Sequence, residues 1–286
     1  MRVLVAFDGS TSAGTALELV RALAWPAGTL VRVAQVIPPP PPFVGSDALA
    51  DVDARLVEAL ASSVGRSWSD TVTVDARLVV GDAPADAIVA EARRIGADLI
   101  VTGHRGHGAM ATVFMGSVAR DITEHAPCPV LVARGSTIQR IVVADDGSAG
   151  AFRARKIVST WPIFKAKHVD VVSVAHVARP LLAGIAVSVR AEAREAQAES
   201  EMEARVAYSR LANEAADGLR LAGLHAAGYV RSGDPAEQIC GLARERGADV
   251  IVMGTRGRGT IGRVLVGSVA RAVLLSAPCS VLVVPD

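Results

Sequence analysis

The sequence predicts an α/β protein built as two tandem, doubly wound domains, each a parallel sheet with helices on both faces. Three observations carry this reading. Runs rich in Val, Ile and Leu alternate with helix-like segments along the chain, the pattern of parallel strands joined by right-handed crossovers. Hydrophobic residues make up 51% of the 286 positions but aromatic ones only 3%, so the core must be aliphatic, as in strands buried on both faces. The chain also repeats itself. Arg2-Val3-Leu4-Val5-Ala6-Phe7-Asp8-Gly9-Ser10 recurs as Arg140-Ile141-Val142-Val143-Ala144-Asp145-Asp146-Gly147-Ser148.

The other repeated blocks keep the same order. Gly81-Asp82 with Pro84 returns as Gly233-Asp234-Pro235, and Gly96-Ala97-Asp98 returns as Gly247-Ala248-Asp249. Gly116-Ser117-Val118-Ala119-Arg120 returns as Gly267-Ser268-Val269-Ala270-Arg271, and Ala126-Pro127-Cys128 as Ala277-Pro278-Cys279. The period is too long for a solenoid, so the repeat unit is a whole domain. The expected domains are residues 1–135 and 138–286. The seam near Arg134-Gly135-Ser136-Thr137 is short, so the halves should pack together rather than swing freely.

Within the first half, residues 2–7 read as a strand. Asp8-Gly9-Ser10 is turn chemistry, and Ser10 or Thr11 can cap the next helix. That helix is expected to run to about Trp25, where Pro26 stops it. A strand at about 29–36 leads into Pro38 to Pro42, a stiff extended connector. A helix over roughly 47–64, a strand at 72–80, a helix at 84–95 and a strand at 98–102 follow. A glycine-rich loop then leads to a helix near 114–125, and Pro129-Val130-Leu131-Val132 is the last strand. The second half reads alike, except that its second helix, about 187–221, is much longer. Its segment Ala191 to Glu199 is a strong, highly charged helix former, most simply a solvated face, with a covering role over the other half or a second subunit as the other reading.

Thirty basic residues stand against twenty-nine acidic ones. That balance gives no electrostatic case for nucleic acid or an acidic membrane surface. No apolar run reaches membrane-spanning length, and the first eight residues leave no room for a signal peptide before the first strand. A cytoplasmic location is therefore expected. Cys128 and Cys279 occupy matching places in the repeats, and Cys240 lies in a helical pattern, so buried reduced thiols are expected.

The richest signal is a glycine loop. Gly103-His104-Arg105-Gly106 is followed after nine residues by Gly116-Ser117, and Gly254-Thr255-Arg256-Gly257 after nine by Gly267-Ser268. Glycines let a backbone approach a ligand and expose its N–H groups. A helix N-terminus adds unpaired N–H donors and partial positive charge, so the two together suit phosphate. A plain flexible loop is the competing reading, but the pattern should arise at only about 1 in 10,000 starting positions by chance. It is not a P-loop, because no lysine follows the last glycine, and it is not G-x-G-x-x-G, so a dinucleotide is not favoured.

Taken together, Asp-Gly-Ser after the first strand, Gly-Asp-Pro before the third helix, G-x2-G-x9-G-[ST] and Ala-Pro-Cys-Pro-Val-Leu-Val resemble the universal stress protein family. The resemblance covers nearly the whole chain twice, and the glycine element resembles that of the family's ATP-binding branch. It implies five-stranded parallel sheets of order 3-2-1-4-5, with a ligand crevice at the switch point between strands one and four. It also implies one adenine-nucleotide site per half, with ATP and Mg²⁺ as the expected ligands. Asp8 and Asp146 would sit against the adenosine, although each could be a simple turn or capping aspartate. Val36 and Val174 would offer backbone groups to the adenine edge, or could be core valines. Gly103, Gly106, Gly116, Ser117 and Val118 would hold ribose and phosphates, as would Gly254, Gly257, Gly267, Ser268 and Val269. Mg²⁺ would be held by phosphates and water more than by protein.

There are departures from the family pattern. Ala83 is an extra residue in the first Gly-Asp-Pro turn. Asp145 puts a second acid beside Asp146, either repelling phosphate or facing outward. The five prolines could reshape the first adenine pocket. Arg256 and Arg258 flank the second loop, and His104 and His107 the first, where exposed or phosphate-facing roles fit them better than metal binding. A nucleotide-binding regulator with an unidentified signalling partner is the expectation, with slow hydrolysis or none. A weak ATPase or phosphotransferase, or a cyclic AMP-binding module, stays open. The apolar last strands would lie at sheet edges, which invite pairing. The halves could pair with each other as an intramolecular pseudo-dimer, leaving a homodimer open.

Overall fold

The computed structural model describes residues 1–39, 55, 57–62, 64–65, 68–106, 115–175, 187–257 and 266–285, the side chains of 187–197 excepted. The first half contains β1 (Arg2–Ala6), α1 (Thr11–Ala22), β2 (Thr29–Ile37), β3 (Val72–Val80), α2 (Pro84–Ile95), β4 (Leu99–Gly103), α3 (Ser117–His125) and β5 (Val130–Ala133). The second contains β6 (Arg140–Ala144), α4 (Ala149–Thr160), β7 (His168–Ala175), α5 (Val187–Leu221), β8 (His225–Ser232), α6 (Pro235–Arg246), β9 (Val250–Gly254), α7 (Ser268–Ser276) and β10 (Ser280–Val284).

All ten strands form one sheet in the order β3-β2-β1-β4-β5-β10-β9-β6-β7-β8. Each half therefore has the order 3-2-1-4-5 and is parallel throughout. The halves meet where β5 pairs antiparallel with β10. Leu131 lies opposite Leu282, its own counterpart in the repeat, so the pseudo-twofold axis passes through that pair. The Arg134 guanidinium reinforces the junction by donating to the Leu274 carbonyl at 2.7 Å, near the negative end of α7. Arg271 pairs with Glu124 across the seam at 2.9 Å.

Alternation along each strand supplies two cores. Val3 and Val5 face one side with Leu17 and Val20 of α1, Val158 of α4 and Leu219 of α5. Leu4 faces the other with Ile88 of α2, Ile122 of α3, Ile239 of α6 and Val273 of α7. A period of two within a run that is apolar on every residue is what a doubly covered strand requires. The three cysteines are buried and unpaired. Burial pushes the Cys128 and Cys279 thiols up to about 12, leaving them protonated and inert at neutral pH.

Several boundaries differ from those the sequence implies. α1 ends at Ala22 rather than near Trp25, because the Trp25 indole N–H donates to the Val20 carbonyl at 2.7 Å and occupies an acceptor of the last turn. β1 stops at Ala6, so Asp8 stands two residues beyond it. α3 begins at Ser117, not at 114. Of the helix expected over 47–64, residues 57–62 are helical and Leu60 and Val64 are buried. Most of its earlier stretch lies outside the described residues, as do Pro40 to Pro42.

The long helix α5 has 35 residues, about 52 Å at 1.5 Å each. Its C-terminal portion packs on β7 and β8 through Ala212, Ala215, Ala216 and Leu219. It sits so close that a Cβ on Gly228 would meet the Ala212 carbonyl carbon at 2.8 Å. Residues 198–203 are exposed, whereas the side chains of the charged segment from Ala191 to 197 lie outside those described.

Ala83 has a local consequence. In the second half, Asp234 caps α6 by accepting the Glu237 N–H at 3.0 Å, whereas Ala83 occupies the N-cap of α2 with no side-chain bond. Ala83→Asp should therefore stabilise the protein by about 1 kcal/mol, read as a higher urea midpoint at unchanged slope. An unchanged or lower midpoint would show that the inserted residue has shifted the cap geometry.

Candidate functional site

The switch point of each half lies where β1 and β4, or β6 and β9, release their chains toward opposite faces. Gly103 ends β4 against the start of α1. A Cβ there would lie 2.6 Å from the Ser12 carbonyl carbon, and one on Gly254 would lie 2.7 Å from that of Gly150. Only glycine allows so close an approach.

The cap serines then fasten the loop. Ser10 Oγ accepts the Ala13 N–H at 3.2 Å and reaches the Arg105 carbonyl at 3.5 Å. Ser148 Oγ does the same with Ala151 at 3.2 Å and the Arg256 carbonyl at 3.4 Å. The second loop glycine passes over the aspartate: a Cβ on Gly106 would meet Asp8 Oδ2 at 2.7 Å, and one on Gly257 would meet Asp146 Oδ2 at 2.6 Å. The third glycine closes the loop, Gly116 N–H donating to the His104 carbonyl at 2.8 Å and Gly267 N–H to that of Thr255 at 2.7 Å. Asp8 and Asp146 also brace their own turns by accepting the N–H of Ser10 at 2.9 Å and of Ser148 at 3.0 Å.

Gly116 and Gly267 are the N-caps of α3 and α7, and neither helix has a side-chain cap bond. The helices that follow β1 and β6 are capped by Ser10 and Ser148. The first-turn N–H groups of α3 and α7 thus lack the internal oxygen that α1 and α4 carry, the condition under which a helix start receives an external anion. Ser117 and Ser268 stand at these starts, both exposed, Ser268 beside the cavity described next.

In the second half these elements wall a cavity of about 560 Å³, within the usual range for small-molecule sites. Gly254, Thr255, Gly257, Gly267 and Ser268 line its amide-rich end. Val172, Val174, Ile239 and Met253 line an apolar region, with Asp146 and Val269 also at its walls. All seven residues singled out in the second half therefore share one cavity. In the first half, Asp8 and the three glycines are joined by the same contacts. Val36 occupies the β2 position equivalent to Val174, and Val118 is exposed one residue into α3. The loop interiors, with His107 and Arg258, lie outside the described residues.

Asp145 corrects one expectation. It neither faces outward nor stands against a phosphate. It is buried, its Oδ1 accepts the Gly147 N–H at 2.8 Å, and Arg155 of α4 pairs with its Oδ2 at 2.7 Å. At the equivalent places the first half has Phe7 and Leu17, both in the apolar cluster. A hydrophobic contact has thus been exchanged for an ion pair as a unit, which keeps the buried charge compensated.

His104 also points inward. Its Nδ1 lies 2.9 Å from Ser12 Oγ, and the ring bonds the main chain of Ala133 on β5. Sequence reasoning missed Tyr208 of α5, which lines the second cavity. Its signal is an isolated aromatic in a charged helix.

The architecture and site define a class: a duplicated open α/β protein with a glycine-lined crevice at each switch point. The chain belongs to the universal stress protein family, whose model matches residues 1–134 and 137–285. A universal stress protein of Thermus aquaticus is 33% identical over 133 residues, 46% of this chain and 97% of the relative. A universal stress protein structure from Archaeoglobus fulgidus superposes with a TM-score of 0.63 at 19% identity, covering 99% of this chain and 98% of that one. A putative universal stress protein from Pseudomonas aeruginosa gives 0.56 at 22% identity, covering 99% and 92%. These superpositions show the shared fold.

Burial, with Arg134 and Arg105 nearby, lowers the His104 pKa from its ordinary 6.5. In the unfolded chain the ring takes up a proton near its ordinary value; in the folded protein it stays neutral further down. Its contribution is therefore fully present above about pH 6.5 and lost as pH falls toward the lowered value. Urea midpoints measured from about pH 7 to 5 should fall, and His104→Asn should flatten that stretch of the profile. An identical slope in the variant would assign the loss to other groups.

Proposed function

We propose that this protein is an ATP-binding regulator of the stress response, with one adenine-nucleotide site in each half. The observation that carries the reading is the second cavity's two-ended chemistry. Uncapped amides at the start of α7 face one end, and aliphatic side chains of β7 and α6 face the other. A molecule with an anionic tail and a flat, largely apolar head suits both ends. Asp146 lies between them, at the level where a ribose would sit.

The residues fit such a ligand. Gly267 and Ser268 would receive phosphate, and Val174 main-chain groups would meet the edge of the base. Mg²⁺ would ride on the phosphates with water as its main ligands. The first half repeats the cradle with Asp8, Gly103, Gly106, Gly116 and Ser117. A chain using ATP in this way belongs in the cytoplasm.

A regulator is favoured over an ATPase or phosphotransferase by what the nearby groups are doing. Asp145 is committed to Arg155, and Asp146 braces its own turn. Neither is set up as a base for an attacking water. Bound nucleotide would act by favouring one conformation or one partner surface, through its differential affinity for it.

The first experiment is to denature the purified protein and identify released nucleotide by chromatography and mass spectrometry. About one or two adenine nucleotides per chain are expected, with ATP predominant. Cyclic AMP as the recovered species would replace ATP in the proposal. An empty protein that also ignores added ATP and cyclic AMP would overturn it.

Gly116→Ala and Gly267→Ala should each weaken ATP binding without unfolding the chain. A Cβ on Gly116 meets its own protein only at 3.4 Å or more, so what it crowds is the ligand. Unchanged affinity in both and in the double variant would sink the cradle. Turnover should stay far below about 1 per second. Faster hydrolysis, lost on changing Asp8 or Asp146, would favour the enzyme.

A further inference from the structure

The second cavity has one wall that the glycine cradle and the strand ends do not supply. Tyr208 comes from α5, the crossover helix between β7 and β8. Glu201, Met202, Arg205, Val206 and Arg210 along the same stretch are exposed, while Tyr208 is half-buried against the cavity. The chain has only two tyrosines, and a phenol turned inward from a charged helix calls for a physical reason.

The position of the helix supplies the level. Ala212 and Asn213 press on Gly228 in the middle of β8. α5 runs antiparallel to the strands it joins, so Tyr208 stands about 7 Å further toward their carboxyl ends. That is the level of the cavity floor. The helix packs on β7 and β8 from the face opposite the Val172 and Val174 side chains, so Tyr208 meets the cavity at the carboxyl end of β7 from the other side of those valines. The phosphate cradle begins at β9, two strands away across β6, or about 10 Å at ordinary strand spacing. That separation matches the span between the base and the phosphates of a nucleotide.

We propose that Tyr208 is a specificity-determining residue of the second site, its ring packing against the heterocycle of the bound nucleotide. The inference rests on the nucleotide reading given above. It assigns the ring, rather than the hydroxyl, the main role, because the β7 residues at that end of the cavity, Val172 and Val174, are aliphatic. It also brings the long helix into the ligand's own surroundings, so that occupancy of the second site is felt directly on α5.

The test uses the full chain carrying Gly116→Ala, so that the second site dominates, titrated calorimetrically with ATP and with inorganic tripolyphosphate. Tyr208→Ala should lower ATP affinity about tenfold and leave tripolyphosphate binding unchanged. Tyr208→Phe should stay within about twofold of the parent. Gly267→Ala should lose both ligands. Should Tyr208→Ala fail to fold, Tyr208→Leu carries the same comparison with a smaller loss. Parental ATP affinity in Tyr208→Ala, or an equal loss of tripolyphosphate, would overturn the assignment while the nucleotide reading stands. A parent that binds tripolyphosphate but no ATP would remove the nucleotide reading, and this inference with it.

Discussion

The site depends on how closely the ends of β4 and β9 approach the helix that follows the first strand of their half. At Gly103 and Gly254 there is no space for even a methyl group against the backbone of Ser12 or Gly150. Because the chain passes so near, the cap serines can hold the loop carbonyls of Arg105 and Arg256, and the next glycine can cross the aspartate. The loop therefore leaves the sheet at a defined angle. It returns with Gly116 or Gly267 positioned to start a helix whose amides have no side-chain cap. Moving the first glycine away from its helix would lose the later contacts in sequence.

The two halves carry the same frame with different fillings. Phe7 with Leu17 becomes Asp145 with Arg155, and the charge pattern beneath the sheet is reversed. Arg32 on β2 pairs with Glu91 of α2 at 2.9 Å, while the equivalent Asp170 on β7 pairs with Arg246 of α6 at 2.9 Å. In the first exchange both partners changed together, leaving no buried charge alone, and in the second the strand charge meets its helix partner at a different position, Ile95 being the counterpart of Arg246. The backbone geometry of the cradle has not diverged in this way. The divergence between the halves is thus concentrated on the helix-facing walls rather than in the glycine cradles.

Much of this was legible in the sequence because its signals are local or repeated. The aliphatic runs mark strands buried on both faces, and the glycine spacing marks a loop that must come close to something. The duplicated Asp-Gly-Ser turn gives the crevice a second edge. What was not legible depended on tertiary placement. The indole of Trp25 ends α1 by reaching back to Val20, which no helix-stop rule reads. The direction of Asp145 is set by Arg155, further along on α4, and an acid beside a suspected phosphate site is ambiguous until that partner is seen. Tyr208 reaches the cavity because of the height at which α5 crosses β8. Its contact with the site is invisible to any pattern confined to its own helix.

The β5–β10 junction has a consequence for how the molecule comes into being and persists. Leu131 and Leu282 are about 150 residues apart in the chain, whereas every other strand pairing closes within one half. Each half can therefore complete its own sheet during synthesis, the first well before the second has left the ribosome, and the junction is the last step, with the slow closure of a distant contact. Once made, it is held by a covalent tether that keeps the second edge at an effective concentration of the order of millimolar. The pairing consequently survives dilution that would dissociate a pair of untethered chains, and the spacing between the two glycine cradles stays constant however scarce the protein is in its cell.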